Sequence, residues 1–213
     1  MKYLLFDLDG TLTDPFEGIA NSALYAMNKL GLEPVPKQSL RRIIGPPLRT
    51  TILELGIAPH RVEEAVEAYR EYFAPKGLYE NSVYTGVPEL PADLKEQGCI
   101  LALATSKPTK YAEIILKHFN LSDFFSFVGG SQPDGSRSDK HEIIEFVIES
   151  LGITDREEIY MLGDRKHDII GAKKAGVKSI GVLWGYGDEE ELKQAGADFI
   201  ISEISQLREF FNV

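Results

Sequence analysis

The 213-residue sequence predicts an α/β protein, a doubly wound parallel sheet with an inserted helical cap. Three observations predict it. Short, continuously apolar runs at residues 3–6, 100–104, 125–128, 159–162 and 179–183 alternate with amphipathic helical patterns, as in sheets buried on both faces. Charged or hydroxyl residues follow several of these runs, at the strand ends where open α/β sheets bind ligands. The third is the stretch 15–82, which reads as helices without a convincing strand and is too long for a simple crossover.

The first run leads into Asp7-Leu8-Asp9-Gly10-Thr11-Leu12-Thr13-Asp14. In extended chain Asp7 and Asp9 point to one side and Leu8 to the other. Two carboxylates so close repel unless a cation lies between them, so the residues alone suggest a carboxylate nucleophile with a second acid beside it on a divalent metal. Gly10 allows a sharp departure from the strand.

In the insertion, Phe16, Ile19, Ala20, Ala23, Leu24, Met27 and Leu30 fall at helical spacing, and Gly31 closes that helix. A short helix at 38–44 stops at Gly45-Pro46-Pro47, and residues 48–55 and 62–73 form two more. Hinges are expected near Asp14-Pro15 and at 81–84. Residues 1–14 and 83–213 then make the core domain and 15–82 the cap.

Past Gly86 a helix is expected over 88–97, with Pro88 at its start and Gly98 as its close; Pro91 in its first turns delays or kinks it. The run 100–104 ends at Thr105-Ser106-Lys107-Pro108, and a helix over 110–119 leads to the run 125–128 and a loop at 129–139. Lys140 opens a helix whose Ile143, Ile144, Val147, Ile148 and Leu151 share one face. The run 159–162 delivers Gly163-Asp164-Arg165-Lys166-His167-Asp168, after which a helix over 169–175 stops at Gly176. An edge strand at 199–201 and a helix at 204–211 complete a Rossmann-like core. Right-handed crossovers would bring the marked strand ends to one edge of the sheet.

Composition excludes several functions. A net charge of −10 argues against a nucleic-acid polymer, which needs a basic footprint, but leaves a small anionic substrate open. Cys99 is the one cysteine and lies in an apolar run, so neither a disulfide framework nor a thiolate cluster is expected. Apolar runs are too short to span a membrane, and with no signal segment before the first strand the chain reads as cytoplasmic, a monomer or weak dimer.

The run Asp-x-Asp-Gly-Thr-Leu-Thr-Asp after an N-terminal apolar strand resembles the first motif of the haloacid dehalogenase superfamily, in its phosphatase version. With Thr105-Ser106, Lys140 and Asp164…Asp168 in order, the resemblance covers nearly the whole chain. It is closest to the phosphoglycolate phosphatase-like branch, which carries a small helical cap. In many relatives proline follows the motif lysine; here His141 follows Lys140, with Arg137 three residues before it. Lys107 and Lys166 are alternative cations.

The resemblance implies a magnesium-dependent phosphatase. Asp7 would attack phosphorus to form an aspartyl-phosphate, and Asp9 would act as general acid and then base. Magnesium would be held by Asp7, the Asp9 carbonyl and Asp164, with Asp168 acting through water or orienting other groups. Thr105 and the amides of Leu8, Asp9 and Ser106 would meet phosphate oxygens, and Lys140 would supply positive charge. Gly45-Pro46-Pro47-Leu48 resembles the cap specificity loop. Arg49 and Lys76 are candidates for a second anionic group, and Phe16, Tyr25 and Tyr79 for a base or sugar. Phosphoglycolate-like esters and nucleoside monophosphates are the substrates expected. A sugar-phosphate mutase and a non-enzymatic phospho-acceptor domain are the alternatives.

Overall fold

The computed structural model of the protein describes residues 1–132, 134 and 136–212, so Pro133 and Gly135 of the expected loop at 129–139 lie outside the described residues. The chain runs through β1 (Tyr3–Phe6), β2 (Thr13–Asp14), α1 (Phe16–Lys29), a 3-10 turn (Lys37–Ile43), α2 (Leu48–Glu54) and α3 (Val62–Tyr72). A π turn (Phe73–Gly77) leads to β3 (Ser82–Val83), α4 (Leu90–Glu96), β4 (Ile100–Pro108), α5 (Thr109–His118), β5 (Phe125–Ser131) and α6 (Lys140–Ser150). Then come β6 (Ile159–Gly163), α7 (Lys166–Ala175), β7 (Lys178–Val182), α8 (Glu189–Ala195), β8 (Phe199–Ile201) and α9 (Ile204–Phe211).

Six strands form one parallel sheet in the order β5-β4-β1-β6-β7-β8. The chain builds outward from β1 on one side and then returns to add β6 on the other, so the topological switch point lies between β1 and β6. Alternation sorts the strand side chains. Leu4, Phe6, Leu101, Leu103 and Leu162 join one apolar cluster, and Leu5, Ala102, Ala104, Ile159 and Met161 join the other with Ile143, Val147 and Ala172 from α6 and α7. Each fully buried Leu or Met contributes roughly 1.5–3 kcal/mol, and this layered core offsets the cost of the buried charges at the sheet edge.

The insertion leaves and re-enters through paired strands. Thr13 is opposite Val83 and Asp14 opposite Ser82, so the two expected hinges form one antiparallel ladder. The apolar cluster on the Phe6 face continues into the insertion through Ile19, Ala23, Leu40, Ile52, Val66 and Phe73. Gly18 permits the close approach of α1 to the π turn, because a Cβ there would stand 1.9 Å from the Gly77 carbonyl oxygen.

Both β4 and β5 run on past their expected ends at 104 and 128, and four other elements differ from expectation for local reasons. The short helix expected at 38–44 is a 3-10 turn, Lys37–Ile43, and Pro46 and Pro47 offer no N–H to extend it. The helix α4 starts at Leu90, which puts Pro91 in the first turn, where its missing N–H costs nothing. Helix α7 starts at Lys166 instead of 169, because Asp168 Oδ2 accepts from the Arg165 amide at 3.1 Å and draws residues 166–168 into the first turn. Helix α8 was not anticipated, although Asp188 caps it by accepting from the Glu191 amide at 2.7 Å and Gly196 closes it in the left-handed conformation.

Candidate active site

Asp7 follows β1 directly, its amide donating to the Leu162 carbonyl of β6 at 2.8 Å, so the ends of the two strands are level. This brings Asp7 to Asp164, which follows β6, and to Asp168 in the first turn of α7. One carboxylate oxygen from each of the three lies within 4.8 Å of the others, and all three residues are buried. Lys140, at the start of α6, projects into the same cluster. Its Nζ stands 3.0 Å from Asp7 Oδ1 and 2.8 Å from Asp168 Oδ1, and donates to the Ala104 carbonyl at 3.0 Å.

One ammonium among three buried carboxylates leaves negative charge uncompensated. Burial, then Asp168 and Asp7, push the Asp164 carboxyl well above its ordinary range. Burial likewise raises Asp168 against the pull of Lys140. Lys140 itself moves upward, the attraction of Asp168 and Asp7 exceeding the cost of its burial. A divalent cation would relieve this cluster, and its hard oxygen donors suit one of the magnesium and calcium class.

Asp9 lies apart from the triad. Its Oδ2 pairs with Lys107 Nζ at 2.7 Å, while Oδ1 is buried with no hydrogen-bond partner. Burial holds the Asp9 carboxyl above its ordinary value despite Lys107. The Lys107 ammonium also faces the Phe73 ring at 4.7 Å, so the insertion covers the pair. Asp7 and Asp9 both open into a cavity of about 160 Å³ between the sheet edge and the insertion. Thr105, Ser106 and Lys107 line it from the sheet; Gly45, Arg49 and Phe73 line it from the insertion.

The family description "Haloacid dehalogenase-like hydrolase" matches residues 4–182. The chain belongs to that family. It is therefore an enzyme, a hydrolase of the phosphatase kind. It is 42% identical over 207 residues to a "5'-nucleotidase" of Pseudomonas aeruginosa, covering 97% of this chain and 93% of that protein. It is 37% identical over 215 residues to "Tyrosine-protein kinase PtkA" of Mycobacterium tuberculosis, covering 100% of this chain and 73% of that one. The crystal structure of a "predicted phosphatase" from Clostridium acetobutylicum superposes with a TM-score of 0.95 at 42% identity, covering 100% and 99% of the two chains.

Within this family member, the motif residues expected from the sequence converge, with qualifications. Asp7, Asp164, Asp168 and Lys140 form one cluster, and Thr105 sits buried at the cavity, its Oγ1 accepting from the Lys107 amide at 3.3 Å. Asp9 contributes no side-chain oxygen to the triad; its carboxylate is turned to Lys107. The Leu8 amide, expected to face phosphate, donates instead to Asp7 Oδ1 at 2.8 Å. Arg49 lines the cavity but gives Nε and Nη2 to Glu63 at 2.7 and 2.9 Å, a salt bridge within the insertion. Lys76 lies over the Tyr72 ring and Arg137 over Phe146, whereas Tyr25 and Tyr79 pack against Tyr72 and His118. His167 is half-buried beside Lys140 and is not one of the clustered carboxylates' partners in the triad.

Sequence reasoning missed the loop after β7. The Trp184 indole donates to the Thr11 carbonyl at 3.0 Å, and the Tyr186 amide donates to Asp164 Oδ2 at 2.8 Å. Its hydroxyl also donates to Asp14. A Cβ on Gly185 would meet Asp164 at 2.4 Å, so only glycine lets this loop close over the carboxylate. The available signal was position: the loop follows the carboxyl end of a strand at the same edge as Asp7 and Asp164.

Proposed function

We propose that the protein is a magnesium-dependent phosphomonoesterase that works through an aspartyl-phosphate on Asp7 and acts on nucleoside monophosphates. The observation that carries the reading is the placement of two different carboxylates at one cavity. Asp7 is held against Lys140 and the carboxylate cluster, while Asp9 is held against Lys107 with one oxygen bare. A carboxyl raised by burial is suited to donate a proton, and one beside an ammonium is suited to attack.

In this reading a carboxylate oxygen of Asp7 bonds to phosphorus as the bond from phosphorus to the leaving oxygen breaks, and that oxygen takes the proton of Asp9. Water then attacks the phosphorus, surrendering a proton to Asp9 and freeing Asp7. Lys140 orients Asp7 through their ion pair, and the Thr105 hydroxyl donates to the transferred group. Magnesium bound by Asp7, Asp164 and Asp168, with the Asp9 carbonyl, would neutralise charge on the phosphoryl group.

The leaving group would lie under the insertion, so residues 1–14 and 83–213 act as the core and 15–82 as the cap that reads it. Tyr69, Phe73 and Tyr111 on the cavity wall, together with the name of the Pseudomonas relative, support a nucleoside over the glycolate of phosphoglycolate. Phosphate release from nucleoside monophosphates and from phosphoglycolate, with and without magnesium, tests the reading. We expect magnesium-dependent turnover, fastest on a nucleotide and lost in Asp7→Asn and Asp9→Asn. Turnover that survives Asp7→Asn would overturn the mechanism, and preference for phosphoglycolate would overturn the substrate. The mycobacterial relative's name supports a second reading, transfer to a protein tyrosine; label from ATP retained on tyrosine would select it.

A further inference from the structure

Between Asp164 and Asp168 stands Arg165, whose guanidinium hydrogen-bonds to Glu191 and Ile44. Its guanidinium makes a fork. Nε and Nη2 donate to the two oxygens of Glu191 at 2.9 and 3.4 Å, and Nη1 donates to the Ile44 carbonyl in the insertion. Only 11% of the side chain is exposed, so the charge is committed to these partners. Glu191 is fixed independently, since its Oε1 also accepts from the Lys166 amide at 2.8 Å and its own amide is held by Asp188.

The insertion is shaped to receive this fork. Gly45 has a φ of +111°, and a Cβ there would stand 2.7 Å from Arg165 Cγ, so the chain folds down onto the arginine stem where only glycine fits. Gly45, Pro46 and Pro47 then form part of the cavity wall. Two consecutive prolines have fixed φ angles, so a displacement at Ile44 carries through the wall as a unit. Lysine could not serve in place of Arg165, because a point charge cannot hold a carboxylate and a carbonyl at once in fixed directions.

We propose that Arg165 is a positioning residue for substrate selection: braced by Glu191, it pins the Ile44 carbonyl and so sets where the wall at 45–47 stands against the leaving group. The proposal rests on the phosphomonoesterase reading. It makes a demand that mere support of Asp164 and Asp168 does not. The acid cluster acts on phosphorus and on the bond to the leaving oxygen, so damage to it lowers kcat/KM alike for substrates whose leaving alcohols are of similar basicity. A displaced wall penalises leaving groups large enough to touch it.

The test compares Arg165→Met and Glu191→Gln with wild type on a nucleoside monophosphate and on phosphoglycolate, whose leaving group is also a primary alcohol but is small. The nucleotide-to-phosphoglycolate ratio of kcat/KM is expected to fall at least tenfold in R165M and at least threefold in E191Q, mainly through KM for the nucleotide. Hydrogen exchange across residues 40–50 should accelerate in both. A ratio within twofold of wild type with unchanged exchange overturns the proposal, and E191Q alone decides it should R165M fail to fold. Absence of turnover by wild type on either compound would instead overturn the phosphomonoesterase reading, leaving exchange to decide whether the strap exists.

Discussion

Lys107 Nζ lies 2.7 Å from Asp9 Oδ2 and 4.7 Å from the centre of the Phe73 ring, so a residue of the insertion seals an ion pair of the core. The pair joins two strand ends that are 98 residues apart in the chain (107 − 9). It orients the bare Asp9 oxygen, and it does so only while the insertion keeps water away.

Lys107→Met should therefore leave Asp9 without its cation and unoriented. We expect kcat to fall about 100-fold, the low end of what general acid catalysis contributes, with KM within a few-fold of wild type. Steady-state phosphate release measures both, and a kcat within twofold of wild type would show that Lys107 does not hold Asp9 for catalysis.

Lys140 is the one cation shared by Asp7 and Asp168 among the described residues. Removing one partner of a buried ion pair costs about 3–5 kcal/mol, so Lys140→Met should lose roughly that much in urea unfolding with a chelator present. Magnesium at 100 times its dissociation constant adds about 2.7 kcal/mol to any folded state that binds it. At one fixed magnesium concentration the recovery should be larger in the variant than in wild type, since the cation then faces more uncompensated charge and binds more tightly. Equal gains in the two proteins would argue that magnesium does not bind at this cluster.

Gly10 has a φ of +86°, and a Cβ there would stand 2.2 Å from Asp164 Oδ2. Gly10→Ala must strain the backbone and push a cluster carboxylate aside. The expected result is a protein whose melting temperature no longer responds to magnesium. A magnesium response equal to wild type would remove Asp164 from the metal site.

Glu191 supplies a pH dependence. Burial alone would raise its carboxyl, but the Arg165 fork and the Lys166 amide hold it below its ordinary value of about 4.3. A carboxyl lowered on folding contributes stability above its unfolded value and loses it as the pH falls through the folded value. The stability difference between wild type and Glu191→Gln should thus be full at neutral pH, begin to shrink as the pH falls to about 4.3, and be lost below the folded value. Urea midpoints across that range measure it, and a difference that grows in acid would reverse the assignment.

Much of the fold was legible because its signals are local. The run Tyr3–Phe6 reads as a strand buried on both faces, and the structure places it at the centre of the sheet. Phe199–Ile201 and Ile204–Phe211 fall where their patterns put them. The candidate acids were legible for the same reason, since each follows an apolar run and strand ends converge. Lys107 was legible only as an alternative cation, because nothing local shows that β4 continues to Pro108 and carries it inward to Asp9. The partner of Arg49 was not legible either, because Glu63 meets it from α3, fourteen residues on (63 − 49), beyond the reach of any helical spacing.

The sequence by itself determined the alternation of strands and helices, the helical nature of the segment between β2 and β3, and the residue types offered at the sheet edge. Periodicity and turn chemistry act over a few residues, and those are written in the chain. Tertiary structure alone decided the partners: Asp9 with Lys107, Lys140 with Asp7 and Asp168, Tyr186 with Asp164, and Arg165 with Glu191 and Ile44. Each partnership joins segments distant in sequence, and which charge finds which depends on burial. Water screens a charge on an extended chain, whereas the packed interior leaves it only the neighbours that folding brings within reach.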